Sequence, residues 1–161
     1  MVAQTTYTKN IRQAIAGQVA YDFGTADITS HNVVESAIPF GVAVQRGLAA
    51  NDNSVRIGGT NVLTDAAVIG FTVRSLLQQN AVNNNLTSYA VTETAGVMRK
   101  GYIFVTNTGA AAIAEGEAIK INNATGAVTG DAAGGAIITL TEVFAEQDAA
   151  AGAICLIRID K

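Results

Sequence analysis

The sequence predicts a mainly β protein: a single antiparallel sandwich-like or barrel-like domain, with an irregular N-terminal arm and at most one short helix. Three observations predict it. About eight short apolar runs recur along the chain, several with a period of two. Clusters of Gly, Asn, Asp and Thr separate them at the spacing of turns. No stretch sustains a helical period beyond about two turns.

Residues 1–32 mix Thr, Gln, Asn and Ala without a sustained period and read as the arm, leaving a β domain over residues 33–161. Within the arm, Lys9 to Ala16 suits about two helical turns, with Thr8 as cap, Ile11 and Ile15 on one face, and Gly17 as the stop. So short a helix needs something to pack against. From Ile38 the period becomes two. Ile38, Phe40, Val42 and Val44 fall on one face and Gly41, Ala43 and Gln45 on the other, as in one strand. Pro39, the only proline, has no N–H for a ladder and belongs at the start of a strand or on an edge. Ser54 to Gly58 is a second strand, after the turn-forming Asn51-Asp52-Asn53. Ala67 to Arg74 can be drawn as a helix from Thr64 or Asp65, but Gly70 costs a helix interior about 1 kcal/mol relative to Ala. Ile69, Phe71 and Val73 alternate with Gly70, Thr72 and Arg74, and strand is preferred.

Gln78 to Asn85 is a polar, Asn-rich loop. Gly96 to Asn107 is long enough for one bent strand or two, with Gly101 as bulge or bend. Glu117 to Ile121 and Ala127 to Thr129 flank Asn122-Asn123-Ala124-Thr125-Gly126, a hairpin in which Gly126 is free to take a positive φ. The last strands are Ala136 to Phe144 and Ala153 to Asp160. The expected core holds Phe40, Val42, Val44, Ile69, Phe71, Val73, Ile103, Val105, Leu140, Leu156 and Ile157.

The 161 residues are 49% hydrophobic and 14% charged, enough for one core without disulfide or metal. Cys155 has no second cysteine to pair with, and inside Ala153-Ile154-Cys155-Leu156-Ile157 it reads as a buried small hydrophobe. Ten Lys plus Arg are scattered against 13 Asp plus Glu, which argues against nucleic acid. MVAQTTYTKNIRQAIAG lacks the apolar run of a secretion signal, and the uncharged stretch Ser75 to Thr92 is too rich in Asn and Gln to place in a membrane.

Catalytic chemistry is hard to assemble. His31 is the only histidine and so the only candidate imidazole base; its neighbours Ser30 and Glu35 do not by proximity in sequence make a triad, and it reads as a loop histidine. Glu115 and Glu117 share a face if extended, yet they sit where a turn enters a strand and read as a solvated rim. Gly58-Gly59-Thr60 and the cluster from Gly130 to Gly135 lack the Lys-Ser/Thr or the helix that a phosphate cradle needs. No enzyme, cofactor or metal site is expected.

The series IPFGVAVQRG, VIGFTVRS, GVMRKGYIFVTN, AIAEGEAIKINNATGAVT and GAICLIRI resembles the structural cement, or head decoration, proteins of tailed bacteriophages from about Gly17 onward. The sequence departs from that pattern at Ile119 or Lys120, where the family usually carries an aromatic residue. The resemblance implies a self-associating β-rich protein on the outer surface of a phage head, made in the host bacterial cytoplasm, that bridges major capsid protein subunits. A homotrimer is preferred and a dimer is the alternative. The competing function is a recognition module, such as a fibre-tip or carbohydrate-binding domain. For the cement reading, Thr5, Tyr7, Ile11, Arg12 and Ile15 are the expected contacts to the capsid or a second subunit, because an arm that orders on binding links two partners through one chain.

Overall fold

The computed structural model describes residues 14–20, 26–48, 53–58, 62–74 and 87–161. Their strands are β1 (Asp27–Val33), β2 (Ile38–Pro39), β3 (Ala43–Arg46), β4 (Ser54–Arg56), β5 (Val68–Val73), β6 (Ser88–Tyr89), β7 (Thr94–Thr106), β8 (Ala118–Asn122), β9 (Val128–Thr129), β10 (Ile137–Ala145) and β11 (Ile154–Asp160). The chain is mainly β, as its sequence predicts. The one helical element among the described residues is a 3-10 turn at Asp65–Ala67, so the strand reading of the next segment holds.

Nine strands form one sheet in the order β1-β4-β3-β5-β7-β11-β10-β8-β9, and β1 also pairs with β7. The first five therefore close into a ring. Strand β7 is shared: β1 and β5 flank its first half, and β11 pairs with it from Lys100 to Thr106. β2 and β6 make a separate two-residue ladder in which Pro39 is exposed, the edge position its missing N–H requires.

Two apolar clusters follow from this layout. One gathers Val33, Val44, Val55, Ala95 and Val97 from the ring with Ile38 and Val42 beside it, and with Phe40 and Tyr89 edge to face at 4.9 Å between centroids. The other packs Phe71, Met98, Ile103 and Val105 against Ile119, Ile121, Leu140, Val143, Cys155 and Ile157 of the outer strands. Burying each such side chain contributes about 1.5–3 kcal/mol, and β7 feeds both clusters.

The expected single strand from Ile38 is two, because Phe40-Gly41 turns the chain and Gly41 has φ 74°. The face assignment survives the break, with Ile38, Phe40, Val42 and Val44 in the ring cluster and Ala43 in the other. In β5, Val44 opposes Gly70 and Gln45 opposes Val68, which leaves Ile69 as an extra residue. Gly70 there lies so close to β7 that a Cβ would sit 2.2 Å from the Met98 oxygen. The bulge takes Ile69 out of phase with Phe71, and it is half-buried rather than core. Leu156 is also half-buried, on the opposite face of β11 from buried Cys155 and Ile157. The other expected core residues are buried. In β7, Arg99 is extra where Asp27 opposes Lys100 and Ile28 opposes Met98, beside Gly101 at φ 124°.

Strands β1 and β6 are not foreseen by the sequence reading, and β1 takes residues 27–32 of the expected lead-in into the sheet. The cause is visible in its pattern. Thr29, His31 and Val33 face inward while Ile28 is exposed, so the alternation is polar-in and gives no hydrophobic period. Gly126 takes φ 69° as expected, and the Asn122 side-chain oxygen accepts hydrogen bonds from the Ala124 and Thr125 amides to shape the hairpin.

Candidate functional site

The first feature that stands out on the body is the root of the N-terminal segment. Residues 17–20 bond antiparallel to β7 on the edge opposite β11, with Val19 facing Ile103. The Gly17 amide donates to the Phe104 oxygen (2.7 Å), the Phe104 amide to the Gln18 oxygen (2.9 Å), and the Ala20 amide to the Tyr102 oxygen (3.0 Å). A fourth bond runs from the Arg74 amide to the Gly17 oxygen (2.6 Å).

Two glycines make this seat possible. Gly17 has φ 78°, and a Cβ on it would lie 2.7 Å from the Cβ of Phe40; a Cβ on Gly41 would lie 2.8 Å from the Gly17 nitrogen. The IPFG turn and the arm's root are thus pressed backbone to backbone, with no room for a methyl group between them. Ile15, just outside the seat, is 49% exposed, and the Gln18 amide bonds back to its oxygen in a turn. Gly17 is therefore a stop, but of a turn. Of the expected contact residues, Thr5, Tyr7, Ile11 and Arg12 lie outside the described residues, as does most of the expected helix, and Ile15 alone is placed.

A second feature is a groove of about 820 Å³ where the ring meets the outer strands, walled by His31 of β1, Arg46 of β3, Arg99 of β7 and Thr141 of β10. His31 is not on a loop: it lies in β1 and is 8% exposed. Its Nε2 is 2.8 Å from the Thr29 hydroxyl, while its Nδ1 is buried with no hydrogen-bond partner. Burial holds the imidazole below its ordinary range; the charges of Arg46 and Arg99 push the same way, and Asn53 opposes them. Ser30 and Glu35 do not join it. Ser30 is exposed, and Glu35 pairs with buried Arg56 at 3.2 Å.

The groove's far side is fixed by Asp65. Its carboxylate accepts from the Thr141 hydroxyl (2.7 Å) and pairs with the Lys161 ammonium (2.9 Å). Burial alone would raise its pKa, but the bonds from Thr141 and Lys161 outweigh that and hold it below the usual range. The guanidiniums of Arg46 and Arg99 have no carboxylate partner among the described residues, and both side chains belong to exposed residues. Glu117, at the rim, pairs with Lys120 at 2.6 Å and accepts from the Ala114 amide; it stabilises a turn. Ile119 is fully buried, so an aromatic residue there would enlarge the core rather than change a surface.

The sequence reading singled out His31 but not its surroundings. Nothing in the spacing of Thr29, Arg46, Arg99 and Lys161 along the chain shows that three strands and residue 161 bring them to one wall.

A family model described as structural cement protein (E217 gp24/Pam3 gp6) matches residues 3–160. No curated protein matches the sequence. Among solved structures, a chain in the capsid of Myoviridae Phage XM1 is similar with a TM-score of 0.70 and 16% identity, over 100% of this chain and 99% of that one. At that identity the likeness establishes the fold.

Proposed function

The chain belongs to the structural cement protein family of bacteriophages, and we propose that it binds the outer surface of the phage head and bridges neighbouring major capsid protein subunits. Its role in the capsid is structural. The observation that supports the bridging is the seated root: four backbone hydrogen bonds and a glycine-to-glycine contact fix residues 17–20 on the body. An arm held at such a root would add a second contact at high effective concentration, less the entropy that its ordering costs. Thr5, Tyr7, Ile11, Arg12 and Ile15 supply that contact, and self-association into a homotrimer would present several arms at once. No nucleic acid, membrane or cofactor takes part in this reading.

Binding the assembled shell and not its dissociated subunits stabilises the shell by mass action, by roughly 2.7 kcal/mol per site at a hundredfold excess over Kd. The test adds full-length protein, and protein lacking residues 2–13, to capsids stripped of it. The truncation ends before the seat, so the body keeps its fold. Lower occupancy and earlier thermal release of DNA with the truncated form are expected. Equal occupancy and equal protection would sink the arm's role.

A further inference from the structure

We propose that the groove beside His31 receives an acidic side chain of the shell protein, whose carboxylate is bound by Arg46 and Arg99 and accepts a hydrogen bond from His31 Nδ1. This rests on the cement reading and adds a second contact, separate from the arm. Three observations converge. Two arginines on different strands face one cavity without a carboxylate partner among the described residues. A buried imidazole nitrogen on the same wall lacks a hydrogen-bond partner, a state that costs free energy unless something fills it. The groove's own buried-side acid, Asp65, is already held by Thr141 and Lys161, so it does not compete for the arginines.

The remaining acid, Glu142, lies on the β10 wall and has no ion pair among the described residues. With the Thr29 hydroxyl donating to Nε2, the neutral imidazole carries its one proton on Nδ1, the nitrogen that would donate to the incoming oxygen. A guanidinium pair suits a planar carboxylate, and the partial enclosure makes each bond stronger than at an open surface. The occupant is a protein carboxylate because the surface that this family member rests on is a protein shell.

The experiment compares wild type with Arg46→Gln/Arg99→Gln, both full-length, for occupancy of stripped capsids at low and high salt. Removing two charge-assisted contacts should weaken binding about tenfold or more and flatten its salt dependence, with the melting temperature nearly unchanged because neither side chain has a carboxylate partner among the described residues. A histidine NMR titration with a short Glu-rich peptide supplies an independent readout: the His31 ring resonances should shift with wild type and not with the double variant, and inorganic phosphate at equal ionic strength should shift them less. Equal occupancy by the two proteins, or no His31 shift with the peptide, overturns the groove as a carboxylate site while leaving the cement reading in place. Absence of capsid binding by wild type itself would instead overturn the cement reading, and the shell protein as occupant with it.

Discussion

His31 shows how one residue couples the fold to pH. Its imidazole titrates below its ordinary value of 6.5 in the folded chain, while the unfolded chain takes up the proton near 6.5. Between those two points the unfolded state binds more protons, so stability is greatest above 6.5 and declines as pH falls through the window. We expect the urea midpoint to drop between pH 7.5 and pH 5, and His31→Gln to remove most of that drop; an equal slope in the variant would refute the assignment. Asp65, Glu117 and Asp131 lie below their ordinary values of 3.8, 4.5 and 3.8, so their contribution is lost only at lower pH and does not confuse the measurement. At this scale the sequence was half legible. That His31 is the only imidazole is plain from composition, but its burial is not, since a strand whose inward face is Thr29, His31 and Val33 resembles a loop by its hydrophobic period. Cys155 was fully legible, because a small residue in an unbroken apolar run has few places to go but the core.

At the scale of elements, the bulges mark where pattern reading stopped working. Strict alternation assigns Ile69, Phe71 and Val73 to one face, whereas Ile69 is itself the one extra residue of a bulge, which shifts the phase and moves it to the other cluster. The same run of reasoning succeeded at Gly126, whose positive φ is demanded by the hairpin itself and needs no knowledge of distant strands. The IPFG stretch lies between these cases. Its faces were readable from the sequence, but its turn exists because Gly41 meets Gly17, a contact across 24 positions (41 minus 17) that no local period encodes. Gly17→Ala should therefore destabilise the protein by about 1–3 kcal/mol, combining a strained φ with a clash against Phe40. A thermal melt checks this, at about 2–4 °C of lowered Tm for each kcal/mol. Ala14→Gly, outside the seat's contacts with Phe40 and Gly41, should leave the melt nearly unchanged. Equal melts for wild type and Gly17→Ala would show that the seat is loose.

For the whole molecule, the sharing of β7 between two clusters decides how it unfolds. Losing the ring cluster frees Ala95 and Val97, and losing the other frees Ile103 and Val105, all on one continuous strand. The two halves should melt together. Tyr89 reports the ring cluster, and its hydroxyl donates to the Val73 oxygen; Cys155 reports the other, with burial pushing its thiol up to about 11. Near-UV absorbance of tyrosine and the onset of thiol labelling should follow one denaturant curve, with negligible labelling of the native protein; two separated transitions would refute the coupling. The seat of the arm has a mechanical consequence as well. Residues 17–20 lie alongside β7, so tension along the strand loads the bonds at Gly17, Gln18 and Ala20 in shear and all together, rather than peeling them one at a time. Under a pull in that direction the joint would yield in one abrupt step at high force, as a lap joint does, where the same bonds arranged end to end would unzip at low force. Single-molecule pulling from residue 2 against an anchor on β11 should show that single rupture.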